Sequence, residues 1–374
     1  MPTHPKTSPS SLLRNEWFLA IGIVTGAIFY FYTDWLVGDL SNPLWLGIVS
    51  VWLFGAILGS ALCVVRHADA VADRLGEPYG TLVLTLSITS VEVLSISAIM
   101  MHGGSNPTLV RDTLFSVIMI ILNGMVGLAL LLGALRHKEQ FHNLQGANAY
   151  LGVIIPLAVL SLVLPDYTRS DTGSTLSPLQ QIILVLMTAG LYAIFLMLQT
   201  GRHRGYFVPE GEAAHEEVEA RDVSVPLLPH AILLLAYIGI VVFLAEEFAK
   251  PVDFLTETLG APMALGGIII AVLVATPEAI GAIKAAMANH LQKSVNIFLG
   301  SVLSTIGLTV PAMLLIARLT GHELTLGLER TDLVMLLLTL ASSVVTFASG
   351  RTNMLQGAVH MLLFLLFLLL IFQG

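Results

Sequence analysis

The stretch Leu273-Val274-Ala275-Thr276-Pro277-Glu278-Ala279-Ile280-Gly281 sits inside a long apolar run that opens at Pro262. A run of that length spans a bilayer, so Glu278 falls near the middle of the membrane. An ionised carboxylate there costs roughly 2.5 kcal/mol or more on insertion scales. Such a residue faces the protein interior and characteristically handles ions or protons. The chain holds a second one. Ser87-Ile88-Thr89-Ser90-Val91-Glu92-Val93 carries Glu92 within the apolar run from Tyr79 to Met101. We read the two glutamates as the ion site and the remaining segments as the frame that holds them.

The composition agrees with that frame. Of 374 residues, 56% are hydrophobic and only 11% charged, against about 25% charged in a soluble domain. The chain is therefore a polytopic membrane protein. The single cysteine, Cys63, excludes an intramolecular disulfide and a cysteine-based metal cluster. It reads as a small apolar residue. The first 15 residues are polar, and the run Trp17 to Leu36 that follows carries Phe29-Tyr30-Phe31-Tyr32. No small-residue cleavage site comes after it, which predicts a retained spanning helix with an aromatic belt.

A spanning helix needs about 20 apolar residues. Eleven runs qualify: 16–36, 44–65, 79–101, 108–134, 149–165, 178–199, 227–248, 262–286, 293–317, 331–349 and 354–372. With the N-terminus inside, only Arg111, Arg169, Lys250, Arg318 and Arg330 of the 17 basic residues fall outside. The excess of basic residues on one side predicts a cytoplasmic N-terminus, and the odd span count puts the C-terminus outside. The one long connection, 201–226, carries Glu210, Glu212, Glu216, Glu217, Glu219 and Asp222 around His215. A solvated linker is the ordinary reading of such a charge cluster, and a regulatory cation-sensing segment is the alternative.

An internal repeat straddles that linker. Asp69-Ala70-Val71-Ala72-Asp73-Arg74-Leu75-Gly76-Glu77-Pro78 matches Asp253-Phe254-Leu255-Thr256-Glu257-Thr258-Leu259-Gly260-Ala261-Pro262. The intramembrane glutamate follows each proline, 14 residues on in one half and 16 in the other. The division is then 1–40 for the tail and an extra helix, 41–200 for a first five-helix repeat, 201–226 for the linker and 227–374 for a second repeat. Five spans is an odd number, so the halves insert with opposite orientation. Inverted repeats of this kind mark secondary transporters with a site at the midplane.

At helical spacing the face of Glu92 reads Thr85, Thr89, Glu92, Ser95. Their oxygens can bind a cation or hydrogen-bond a protonated acid, although hydroxyl stripes also hold membrane helices together. The face of Glu278 reads Ala271, Ala275, Glu278, Gly281, Ala282 and Ala285, small residues that admit a neighbouring helix. Pro277 removes a backbone donor and frees carbonyls around Leu273 and Val274, hard oxygens that suit calcium. Thr276, Ser301, Asn123 and Thr305 add polar groups. Asn123 and Thr305 occupy matched repeat positions and are candidate ligands, with mutual hydrogen bonding as the open alternative. His230 and His360 show no partner spacing and read as structural.

The sequence contains no His-Glu-x-x-His zinc motif and no Gly-x-Ser-x-Gly elbow, which speaks against a membrane-embedded enzyme. A channel is a third class, and one acid per repeat favours a transporter over it. Leu-Gly-x-Pro followed by an intramembrane glutamate, twice, with an acidic linker between, resembles the cation/calcium exchanger superfamily. The layout of one extra helix and two five-helix halves is similar to its calcium/proton exchangers (CAX). Gly76-Glu77-Pro78-Tyr79-Gly80-Thr81-Leu82, Arg111-Asp112-Thr113-Leu114 and Asn296-Ile297-Phe298-Leu299-Gly300-Ser301-Val302-Leu303 resemble the bacterial ChaA-type antiporters. The resemblance implies that Glu92 and Glu278 are paired acids that bind cation and proton in turn. Many members place Gly-Asn-Ala-x-Glu before each acid, whereas this chain has Ile88-Thr89-Ser90-Val91-Glu92 and Ala275-Thr276-Pro277-Glu278. Those departures bear on ion choice. The expectation is an all-α calcium/proton antiporter of the bacterial inner membrane, with sodium or potassium as the alternative cation. It needs no resident cofactor, nucleic acid is not a partner, and a homo-oligomer is compatible with the sequence.

Overall fold

The computed structural model describes residues 16–76, 79–102, 106–168, 176–207 and 227–372. Among them are eleven helices long and apolar enough to cross a membrane. They are α1 (Trp17–Val37), α2 (Pro43–Leu75), α3 (Tyr79–Met101), α4 (Leu109–His137), α5 (Leu144–Tyr167), α6 (Pro178–Thr200), α7 (Leu227–Thr258), α8 (Ala264–Met287), α9 (Leu291–Thr320), α10 (Arg330–Phe347) and α11 (Met354–Ile371). The eleven expected runs and the eleven helices coincide one for one. The acidic residues of the 201–226 connection lie outside the described residues.

Two helices run about ten residues past their apolar stretch. Helix α2 was expected over 44–65 and continues to Leu75, and α7 was expected over 227–248 and continues to Thr258. Apolar content sets the membrane-buried part of a helix, but backbone chemistry sets its end. Both extensions stop at a glycine with left-handed φ, Gly76 at 66° and Gly260 at 70°, the conformation that glycine adopts without a Cβ penalty. These are matched positions of the Leu-Gly-x-Pro repeat. At the other end of α2, the Asn42 side chain accepts from the backbone N–H of Leu44 and Trp45, with Pro43 at the first helical position.

The chain divides into two compact units, 1–104 with 214–260, and 105–213 with 261–374. In the first, α2 and α7 pack along most of their length, with α1 and α3 alongside. Its centre holds Phe29, Leu53, Ile57, Val241 and Leu244, each fully buried. In the second unit α8 packs on α4 and α9, and α11 packs on α4. One short β-ribbon joins this unit, β1 (Glu139–Phe141) antiparallel to β2 (Arg351–Asn353). Glu139 pairs with Asn353, Gln140 with Thr352 and Phe141 with Arg351. Nothing in the alternation of three residues distinguished this ribbon from a loop.

Helices α4 and α11 meet backbone to backbone. A Cβ on Gly127 would come within 2.8 Å of the Met361 nitrogen, and one on Gly357 within 2.7 Å of the Leu131 nitrogen. Small residues are what allow such approach in membranes. Gly127→Ala and Gly357→Ala are therefore expected to destabilise the fold by about 1–3 kcal/mol. Gly152→Ala, with no atom within 4 Å of the new carbon, should be neutral or slightly stabilising. Thermal unfolding of the three variants in detergent checks the contrast. Equal melting points for all three would contradict it.

Candidate functional site

In the first unit, α3 presents Glu92 from a face that the packing hides. The residue is 2% exposed, Thr89 6% and Ser95 3%. One helical turn separates each hydroxyl from the acid. Among the described residues, neither the Thr89 nor the Ser95 hydroxyl oxygen has a hydrogen-bond partner. Leaving a buried hydroxyl unpaired costs about 1–3 kcal/mol, so two of them beside a carboxylate need an explanation. The same helix shows the alternative. Ser87 donates to the Val83 carbonyl and Ser97 to the Val93 carbonyl, both at 2.7 Å. The ordinary way to satisfy a hydroxyl inside a membrane helix is thus available on α3, and Thr89 and Ser95 do not use it.

In the second unit, α8 carries Glu278, half-buried, one residue after Pro277. The helix continues through the proline, which has no N–H to give the Leu273 carbonyl. Thr276 turns its hydroxyl back on the Val272 carbonyl, leaving its lone pairs as acceptors only. Ser301 on α9 donates to Glu278 Oε2. Ser304, a turn on, bonds the Ser301 carbonyl at 2.9 Å. Glu278 and Ser301 are thus brought together, and Thr89, Glu92 and Ser95 form one stripe.

Asn123 and Thr305 share an unusual backbone setting. Asn123 lies in a π-helical turn, Ile120–Met125, and Thr305 opens another, Thr305–Thr309. A π-turn inserts a residue into the helix and re-aims the side chains after it, often at functional sites. Asn123 is fully buried. Its Nδ2 donates to Thr339 Oγ1 at 2.8 Å, and its Oδ1 lies 3.2 Å from His360 Nδ1. His360 Nε2 reaches Thr346 Oγ1 at 2.9 Å. The structural role expected for His360 is what this chain of contacts displays. Thr309, in the second π-turn, is fully buried and its hydroxyl has no partner among the described residues.

Sequence reasoning passed over one cluster. His230 shows no partner spacing in the sequence and reads as structural. It meets His67, which lies against Glu16 beside Arg66 and Tyr237. The partners come from two helices and the residue before α1, far apart in the chain, so no spacing could announce them.

An all-α bundle with a glutamate buried among unpaired hydroxyls and a second glutamate after a mid-helix proline defines an ion-handling integral membrane protein. Residues 44–201 and 229–373 match the sodium/calcium exchanger protein family, and the chain belongs to that family. It is 41% identical over 333 residues to the sodium-potassium/proton antiporter ChaA of Escherichia coli, covering 88% of this chain and 90% of that one. It is also 41% identical over 317 residues to the putative ionic transporter y4hA of Sinorhizobium fredii, covering 84% and 86%. A crystal structure of the Ca2+/H+ antiporter YfkE superposes with a TM-score of 0.70 at 17% identity, over 96% of this chain and 100% of that one. That likeness shows the shared fold.

The network around Asn123 generates an expectation. Removing its amide leaves Thr339 and His360 each one partner short in a buried place. Asn123→Ala should lower stability by about 1–3 kcal/mol and leave the half-saturating cation concentration unchanged. Thermal unfolding and cation titration on the same preparation decide it. Weakened cation affinity with stability intact would instead make Asn123 a ligand.

Proposed function

We propose that this exchanger carries a cation out in return for protons, with Glu92 and Glu278 as the acids that take up each in turn. The observation that carries the reading is the buried Glu92 flanked by two unpaired hydroxyls, Thr89 and Ser95. A hydroxyl oxygen is a ligand for a hard cation and also a donor or acceptor for a carboxyl. The stripe therefore suits both states of an exchange cycle, the metal-bound carboxylate and the protonated acid. At Glu278 the Ser301 hydroxyl has the same dual use. Thr276 and Thr305 are supporting residues in this reading, with a π-turn setting the aim of Thr305, while Asn123 braces its helix through Thr339 and His360.

The physical basis of coupling is competition. When the cation leaves, a bare carboxylate in a low dielectric has lost both hydration and counter-charge. Taking up a proton relieves that cost, and a proton on the acid excludes the cation. Calcium is the first choice for the cargo, because carboxylate and hydroxyl oxygens are the hard ligands that it takes. Sodium or potassium is the second reading, favoured by the 41% identity to a sodium-potassium/proton antiporter. The excess of Lys and Arg on one side supports a cytoplasmic N-terminus at a bacterial inner membrane, with the C-terminus outside. Single cysteines in a background lacking Cys63 test this: a probe in the 201–226 connection should label from the cytoplasmic side only, and labelling from outside would reverse the topology.

The decisive experiment is flux in proteoliposomes under an imposed pH gradient, with calcium, sodium and potassium offered separately. Cation flux should follow the proton gradient, and the half-saturating cation concentration should rise as pH falls on the binding side. For one-proton competition the rise approaches about tenfold per pH unit. Glu92→Gln and Glu278→Gln should each abolish coupled flux while still folding, since an amide mimics the protonated acid. A Gln variant that exchanges at the wild-type rate with the wild-type pH profile would defeat the proposal.

A further inference from the structure

One cluster of titratable side chains plays no part in the reading above. Glu16 sits just before α1 and is 6% exposed. Its Oε2 accepts from the Tyr237 hydroxyl at 2.8 Å, lies 3.4 Å from His67 Nε2, and pairs with the Arg66 guanidinium. Burial pushes the Glu16 carboxyl up, but the Tyr237 hydroxyl and the Arg66 and His67 charges outweigh it and hold it below the ordinary glutamate value. His67 is 1% exposed and stacks on the Tyr237 ring, with centroids 5.6 Å apart. Its Nδ1 lies 2.9 Å from Nδ1 of the half-buried His230. Among the described residues, the charged and titratable groups around the pair are Glu16, Arg66, Cys63 and Tyr237.

Two imidazole nitrogens at that distance must have one hydrogen between them. In one neutral arrangement His230 donates its Nδ1–H and His67 points an Nε2–H at Glu16. In the other, His67 donates its Nδ1–H and its bare Nε2 accepts from Arg66, whose Nη2 is 3.3 Å away. A proton arriving from solvent at His230 Nε2 can be accommodated without breaking the contact. The Nδ1 hydrogen of His230 shifts to His67 Nδ1, and His67 becomes an imidazolium that faces the Glu16 carboxylate through Nε2–H. A second proton would put hydrogens on both facing Nδ1 atoms. The contact cannot survive that, and it is one of the ties between α2 and α7 at this end of the unit, beside the stacking of His67 on Tyr237.

We propose that Glu16, Arg66, His67, His230 and Tyr237 form a second proton-binding site, separate from Glu92 and Glu278, that takes one proton with the α2–α7 contact intact and releases the contact on taking a second. The site is a sensor of pH at the membrane edge where α2 and α7 meet, with solvent access through His230. It goes beyond the exchange reading and does not require that reading to hold.

The test has an arm independent of transport. Full-length protein with isotope-labelled histidine, in lipid nanodiscs, is titrated by NMR, and each signal is assigned by single His→Gln substitution. In wild type, the His67 and His230 signals should titrate together in two separated steps, the behaviour of a coupled pair. In His230→Gln, which keeps a polar side chain at a half-buried place, His67 should titrate in one step. Independent single steps in wild type, unchanged for His67 in the variant, would overturn the proposal. The second arm is the pH profile of flux in proteoliposomes. His230→Gln should shift its midpoint and remove its steepest limb while the rate at the optimum stays within about twofold, less than the tenfold that a 1.4 kcal/mol change produces. A rate lowered equally at all pH values, with the midpoint unmoved, would make the cluster structural only.

Discussion

Hydrocarbon offers no hydrogen-bond partner, so each polar atom buried in a membrane bundle must find one within the protein or wait for cargo. Many buried hydroxyls of the described residues meet this rule by the same local device. Ser60, Ser87, Ser97, Thr113, Thr188 and Ser343 each return a hydroxyl hydrogen to the carbonyl four residues back. Among the described residues the unpaired hydroxyls are those of Ser50, Thr89, Ser95, Ser161, Ser294 and Thr309, and two of them flank an acid. Thr89 and Ser95 share a helix with two serines that use the device, and they leave their oxygens on either side of a glutamate. A packing explanation accounts for satisfied hydroxyls. It does not account for unsatisfied ones beside a buried acid.

The second constraint is how far a helix can deviate while keeping its backbone bonded. Pro277 stands one residue before Glu278 in a helix that does not break. The π-turns at Asn123 and Thr305 occupy corresponding places in the two sequence halves. The glycines that end α2 and α7 share a left-handed φ at corresponding places too. Pro277 has no counterpart before Glu92, but the π-turns and the terminal glycines recur at matching sequence positions. The Asn123 network also shows that a polar residue in such a turn can be wholly occupied by its own unit.

Much of this was legible in the sequence, for physical reasons that differ by feature. The spans were plain because twenty consecutive apolar residues have one stable fate in a chain this poor in charge. Glu92 and Glu278 were plain because an acid inside such a run is expensive. The length of α2 and α7 was not, since hydropathy reports membrane depth and says nothing of Asp69 to Leu75 winding on as helix beyond it. The β1–β2 ribbon rests on pairing between residues some 200 positions apart, and three-residue strands carry no readable period. The His67–His230 contact, across 163 positions, escaped for the same reason. Whether Asn123 is a ligand or a strut depended on Thr339 and His360, whose positions no local pattern gives.

The claim that most of these features serve is that cation and proton compete for the same acids. It is tested most directly by counting protons during cation binding to the purified protein. Calorimetric titration with each cation, run in two buffers of different ionisation enthalpy, gives the number released without any need for transport. Binding should release protons in wild type, and the release should shrink as pH rises, because fewer acids then hold a proton to give up. In Glu92→Gln the proton of that acid should be missing from the count. Cation binding that releases no protons at any pH would contradict competition at the acids, whatever the flux measurements show.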